Sequence, residues 1–451
     1  MLYVRNVERN CSTNINYYAC ATLSENKPLL RKTVTMRYAV AMYMSSVLGS
    51  GILVLPGLAA QIAGPGSLIA WIILSLASYP LAYTFASLSA RKAESGGVYS
   101  FARESLGPRL ANAVGWLFIT WYVTGAPAVT VIAASYLAYA LPLSHPIIYL
   151  IASTLIIGAF LINYRGIIIS GKVQLAVVAS IAILLVITVL ASSTQIRLAN
   201  FSPLFPNGLI PVGIAAALIF WSYLGYENVS NVAEEFKNPQ RDFHRSILFS
   251  VIMISILYLS VAIATIGTRA YATGGSVAPF AAILSNALGL YAAIGTGILA
   301  VFIIFGTVNA YTSGMSRVIY ATAKHGGLPS VFDKIDAKTG VPNRSLMLLS
   351  GLSLAALVAY FFLNFDLEAV LLIPSGAAIV VYVIGAVCGI RLLKTRRIFP
   401  WISLIISLVM MPFVGIYLVA SLVAGGLGYI YNRKPSPKVL VVEKEMPVAR
   451  S

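Results

Sequence analysis

Residues 35–60 read TMRYAVAMYMSSVLGSGILVLPGLAA. Beyond Arg37 the stretch is uncharged, and at 1.5 Å per residue it is long enough to cross about 30 Å of hydrocarbon as a helix. At its middle stands Gly49-Ser50-Gly51, with Pro56 shortly after. Glycine inside a helix costs about 1 kcal/mol relative to alanine. One stretch therefore suggests both a membrane crossing and a place where that crossing can break. Close packing of a second helix on small residues is the other reading of the same glycines.

Similar apolar runs recur along all 451 residues, which are 59% hydrophobic and 10% charged, where a soluble domain carries about 25% charge. Read for such runs, the chain gives about twelve spans: 35–60, 67–90, 110–140, 145–163, 170–193, 209–233, 246–268, 287–320, 345–363, 367–390, 398–412 and 413–431. The last two could instead be one helix bent at Pro412. A membrane barrel would show alternating strands of about 10 residues, whereas these runs are continuous. The expected class is an all-α polytopic membrane protein, because a helix satisfies its own backbone hydrogen bonds in lipid.

Placing the N-terminus inside and alternating the loops leaves only Arg197 and Arg269, of 31 Lys and Arg, on the outer side. That asymmetry predicts cytoplasmic N- and C-termini in a cell membrane. The net charge of +17 is thus a topological signal, scattered over several loops with no basic groove for a nucleic acid. Residues 1–34 and 432–451 read as cytoplasmic tails, the first disordered, and Met36 is an alternative start. Cys11, Cys20 and Cys388 offer no extracellular disulfide framework. His145, His244 and His325 are dispersed near span ends and in loops, and no cluster has metal-ligand spacing. No catalytic residue, metal site or cofactor is expected, and the chain does not read as an enzyme.

The sixth span carries a counterpart to the first, FWSYLGYE at 220–227, with Gly225 at its middle. Paired interruptions in corresponding spans point to a transport site built from broken helices. There the unpaired N–H groups of one half-helix suit a carboxylate and the free carbonyls of another suit an ammonium. Glu227, just past the interruption, is the acidic residue placed well inside a span. It marks either a pathway or proton site, or a neutral group tying down unwound backbone. Trp221, Tyr223 and Tyr226 flank the break and could line or close a pocket, or simply pack helices.

The stretch at 46–56 resembles the first-span motif of the amino acid, polyamine and organocation transporter superfamily, and FWSYLGYENVSNVAEEFKNPQRDFHRSI at 220–247 is similar to its sixth span and tail. ESGGVYSFARESLG at 94–107 and NAYTSGMSRVIYATAKHGGLP at 309–329 match it too. Within the superfamily, 45–66 and 220–247 look most like the bacterial permeases that export methionine and branched-chain amino acids. The resemblance implies twelve spans, with an inverted repeat of 35–193 on 209–391, helices 1 and 6 discontinuous, and two further C-terminal helices at 398–431. It also implies that N–H groups around Ser50, Gly51 and Ile52 hold a substrate carboxylate. Carbonyls of Val47, Trp221 and Leu224 would hold its ammonium beside Gly225, while Trp221, Tyr223 and Tyr226 would shape side-chain space and the outer gate. Proton-coupled relatives carry a lysine in span 5 where this chain has Ser180. Lysine-based coupling is therefore in doubt, while exchange, another proton carrier such as Glu227, and facilitated flux stay open.

The function expected is secondary transport of amino acids, neutral and apolar ones in particular, by alternating access. A polyamine or organic-cation transporter of the same fold is the alternative, and a sensor or scaffold without flux would need a soluble domain that the short tails do not offer. The partners expected are the amino acid substrate and membrane lipid, with protons as a candidate coupling ion, in a monomer or homodimer. Gly51→Leu is expected to abolish transport while leaving folded yield near normal.

Overall fold

The computed structural model describes residues 34–94, 96–272, 276–363 and 367–433. The tail residues 1–33 and 434–451, with Cys11 and Cys20 and the question of a start at Met36, lie outside the described residues. Helix α1 (Met36–Ala63) joins α2 (Ser67–Arg91) through a 3-10 turn at Gly64–Gly66. A short α3 (Val98–Leu106) precedes the long α4 (Pro108–Ala140), followed by α5 (His145–Tyr164) and α6 (Ile167–Ser193). The sixth span is α7 (Ile210–Ser222), a turn, and a 3-10 helix over Asn228–Glu235. Then come α8 (Pro239–Thr268), α9 (Pro279–Leu288), α10 (Leu290–Lys324), α11 (Asn343–Leu363), α12 (Leu367–Leu392), α13 (Ile398–Val414) and α14 (Leu418–Ile430).

Nine stretches among the described residues are long and apolar enough to cross a membrane, and two of them, Met36–Arg91 and Ile398–Ile430, hold two helices each. With the interrupted sixth span they make the twelve crossings read from the apolar runs. Burial is inverted relative to a soluble domain. Ser45, Ser78, Asn112, Asn163, Asn228, Asn309 and Thr312 are buried, while Leu76, Leu150, Leu190, Phe362, Trp401 and Ile416 face outward. Hydrocarbon is the solvent in which that arrangement is stable, since lipid rewards an apolar surface and helix contacts use small polar residues. The stretches containing α1, α2 and α4 are mostly buried, whereas α5, α13 and α14 lie at the periphery.

Backbone contacts join loops that are distant in sequence. Arg197 N–H donates to Gly267 O at 3.0 Å, which brings the ends of the fifth and seventh spans together beside Arg269. On the opposite side Val34 pairs with the backbone of Glu235 and Lys237, Gly96 N–H reaches Asn231 O, and Arg391 donates to Ser105 O.

The helices depart from the apolar reading in four places. The bend between the last two crossings lies at Gly415 (φ 61°), where a 3-10 turn runs over Gly415–Tyr417, and Pro412 is inside the last turn of α13. The eighth span starts later than 287, because Gly289 (φ 83°) separates α9 from α10 although residues on both sides are apolar. Val34, the last residue of the tail expected to be disordered, is buried and held by two backbone hydrogen bonds. At the other end Arg433 N–H donates to Gly326 O at 2.9 Å, so residues 432–433 belong to the folded body. Hydropathy reads none of these, since each depends on backbone torsion or on a partner distant in sequence.

Candidate functional site

The helix over residues 36–63 breaks at Gly49, whose ψ is −112°. A helix that stops leaves carbonyls without intrahelical donors, and here side chains from other helices supply them. Thr307 Oγ1 on α10 donates to Ser45 O at 2.8 Å, and Tyr258 Oη on α8 donates to Val47 O at 2.6 Å. Glycine is required at 49 by proximity, because a Cβ there would overlap the Thr307 side chain.

The sixth span breaks after Ser222. Gly225 adopts φ 128°, a region that side-chain-bearing residues avoid. Its N–H donates to Glu227 Oε2 at 2.9 Å and toward Tyr382 Oη at 3.0 Å. Tyr382, from α12, donates its own proton to Glu227 Oε2 at 2.6 Å. The Glu227 carboxyl thus fastens the turn to a neighbouring helix and is buried among the hydroxyls of Tyr382, Tyr311 and Tyr43.

The two breaks touch. A Cβ on Gly51 would stand 2.9 Å from Ser222 Cα, and one on Gly225 would stand 3.0 Å from Ser46 O. Tyr258 Oη also donates to Ser222 O at 2.8 Å, so one hydroxyl proton is shared between a freed carbonyl of each broken helix. The crowding at Gly51 corrects the expectation for Gly51→Leu: the added side chain would collide with backbone of the sixth span, so folded yield falls along with any transport.

Beside the breaks lies a cavity of about 50 Å³. Ser46, Val47 and Gly51 of α1 and Trp221 and Leu224 of the sixth span line one side. Trp121, Tyr122, Gly125, Ala126 and Val129 of α4 and Thr307, Val308 and Tyr311 of α10 line the other. None of these residues carries a formal charge. A zwitterion there would meet peptide dipoles and aromatic faces, with the N–H groups of residues 50–52 at the leading end of the second half of α1.

Of the residues singled out from sequence, Val47, Gly51, Trp221 and Leu224 line this cavity. Ser50 and Ile52 follow the break in α1, and the Ile52 side chain is buried. Tyr223 turns away, its hydroxyl 2.6 Å from Ser75 Oγ and its ring against Trp71 and Tyr258. Gly225 and Glu227 build the turn behind the cavity, and Tyr226 packs near the Tyr43 ring. Ser180 is half-buried on α6 and does not line the cavity. Val47 O is engaged by Tyr258 and retains a second lone pair for another donor, whereas Trp221 O already accepts from the N–H groups of both Tyr223 and Leu224.

The α4 wall, Tyr258 and Tyr382 were not found by sequence reasoning. The one available signal for the wall was Gly125-Ala126-Pro127, a small and helix-breaking triplet in mid-span. Tyr311 was within a stretch matched by resemblance but had no assigned role.

The model of the amino acid permease family matches residues 35–448. The amino acid permease YecA of Bacillus subtilis is 30% identical over 409 residues, covering 90% of this chain and 96% of the relative. The L-methionine/branched-chain amino acid exporter YjeH of Escherichia coli is 27% identical over 419 residues, 91% and 98% of the two chains. The branched-chain amino acid permease BcaP of Bacillus subtilis is 28% identical over 325 residues, 66% and 68% of the two.

Proposed function

The chain belongs to the amino acid permease family, a multi-pass membrane transporter rather than an enzyme, and from that premise we propose that it moves neutral, apolar amino acids through the cavity beside its two helix breaks by alternating access. One observation carries the reading: both breaks, at Gly49 and near Gly225, converge on a space lined by uncharged side chains only. In a low-dielectric interior a second charge on the cargo would need an opposite charge opposite it, and the lining offers none. The relatives that export methionine and branched-chain amino acids, or are named for branched-chain amino acids, point the same way.

In this reading peptide N–H groups at residues 50–52 receive the carboxylate, and the carbonyls of Val47 and Leu224 receive the ammonium, the Trp221 carbonyl being engaged twice within its own turn. Trp121, Tyr122, Trp221 and Tyr311 bound the side chain. The membrane is the cell membrane, with both termini cytoplasmic by the distribution of Lys and Arg. Glu227, fastened to Gly225 and Tyr382, serves the turn directly, and proton coupling through it would require that fastening to loosen.

Purified protein in liposomes tests the proposal through uptake and exchange of labelled leucine, methionine and alanine. Saturable flux of these, uncompeted by excess putrescine, is the expected result. No flux of any amino acid would refute it. The polyamine alternative is disfavoured because Glu227 does not line the cavity and Tyr223 faces Ser75; competition by putrescine would reinstate it.

A further inference from the structure

Along α2, Ile72, Leu76, Tyr79 and Tyr83 fall at spacings of three and four residues and so share one helix face. Ile72 and Leu76, 49% and 74% exposed, form the outward part of that strip. Tyr79 is half-buried and Tyr83 buried, because at this end two other helices close over them. The Phe399 ring of α13 is centred 5.4 Å from Tyr79 and 4.6 Å from Tyr83. From α8, the His244 ring is centred 5.6 Å from Tyr83, with its Nε2 3.2 Å from Ser87 Oγ. The strip thus ends in a niche floored by tyrosine and walled by the starts of α8 and α13.

Cations surround this niche. The Arg396 guanidinium stands 6.0 Å over the Tyr83 ring, at the edge of cation–π range. Arg396 adopts φ 52°, a left-handed conformation that a residue with a side chain seldom takes. Lys394 and Arg397 are its exposed loop neighbours, and Arg241 and Arg245 are exposed one turn apart at the start of α8. Other cations of the chain meet carboxylates: Arg91 and Lys92 pair with Glu104, and Arg317 pairs with Glu235 at 2.9 Å. Among the described residues no ion pair reaches Arg241, Arg245, Lys394, Arg396 or Arg397. Asp242, the acid beside them in sequence, is buried.

Beyond the cations both walls turn apolar. Leu248 and Ile252, four and eight residues past His244, are exposed on α8, and Ile398, Trp401 and Ile405 are exposed on α13. Arginines without carboxylate partners, tyrosines at the helix ends and an exposed apolar strip together fit an amphiphile with an anionic head. The planar guanidinium fork suits phosphate oxygens in particular. We infer that the niche between α2, α8 and α13 binds an anionic phospholipid, its phosphate held by Arg245 and Arg396 and an acyl chain lying along Ile72 and Leu76. A free phosphate ion would use the arginines but not the strip. The site needs only the membrane, whichever cargo the chain moves, so its test reads lipid contact and not flux.

Full-length protein in nanodiscs is irradiated with phosphatidylglycerol carrying a photoreactive acyl chain, or with the matching phosphatidylcholine, and the cross-linked peptides are mapped. Adducts are expected on 72–83 of α2 and 398–408 of α13, enriched for phosphatidylglycerol. Arg245→Gln/Arg396→Gln should lower that enrichment about fivefold for each cation removed, the weight of one Lys or Arg near an anionic surface. Lys334→Gln/Arg344→Gln, an exposed pair at the α10–α11 connection, should leave it unchanged. Should the first double variant fold poorly, Arg396→Gln alone, in an exposed loop, gives the same reading with about a fivefold loss. Equal labelling by the two lipids would overturn headgroup recognition, and equal losses in the two double variants would overturn the site in favour of general surface charge. Adducts displaced by inorganic phosphate, but not by chloride of the same ionic strength, would make this a free-anion site and overturn the lipid.

Discussion

Gly225 is the residue at which backbone geometry and cavity architecture meet most tightly. With φ at 128° and Ser46 O and the Tyr311 hydroxyl each 3.0 Å from where a Cβ would sit, an alanine has neither the torsion nor the space. Backbone strain of this kind costs about 1–3 kcal/mol, so Gly225→Ala is expected to lower the melting temperature in detergent and abolish uptake in liposomes. Gly125 gives the contrasting case. A Cβ there would rest 3.4 Å from Pro374 and 3.7 Å from Trp221 in ordinary contact, and it would enter the cavity. Since one methylene more or less in such a pocket is worth about 1–3 kcal/mol, Gly125→Ala should raise the KM for methionine and leucine about tenfold or more. Alanine uptake should change little, and equal effects on all three substrates would remove Gly125 from the side-chain wall. Trp221→Ala should shift preference toward larger side chains with normal folded yield.

At the scale of elements, the breaks in α1 and the sixth span are stable because other helices supply what the broken ones lost. Thr307 of α10, Tyr258 of α8 and Tyr382 of α12 each reach backbone or carboxyl groups at a break. Tyr258 matters most, since its single hydroxyl serves Val47 O and Ser222 O together. A buried acceptor left alone costs about 1–3 kcal/mol. Tyr258→Phe should therefore lower the melting temperature and weaken apparent substrate affinity, measured by ligand-induced thermal shift; an unchanged shift would mean that the hydroxyl does not organise the site. The glycines that permit each break are local features and could be read from the chain. The tyrosines that cap them lie on helices far away in sequence, where a tyrosine in a span looks like any other.

For the whole molecule, sidedness is the property most open to a direct test. Arg197 and Arg269 stand together at one face, while Lys338 lies in the loop between α10 and α11 at the other. In a chain lacking native cysteines, Arg269→Cys should react with an impermeant thiol reagent on intact cells, and Lys338→Cys only after permeabilisation. The reverse pattern would invert the topology. The same inside-out burial that makes twelve crossings stable in lipid leaves the Ser-, Asn- and Tyr-rich seams inside.

The sequence by itself determined the crossings and the two places where a crossing can break. Those follow from hydrophobic run length and from glycine, both of which act locally. Only the tertiary structure decided what surrounds the breaks: the α4 wall, the shared Tyr258 proton, the fastening of Glu227 to Tyr382, the collision awaiting any side chain at 51, and the pairing of Glu235 with Arg317. Each of these joins groups from different helices, and because every helix in lipid presents a similar apolar outer face, nothing along the chain fixes which of its polar residues will meet.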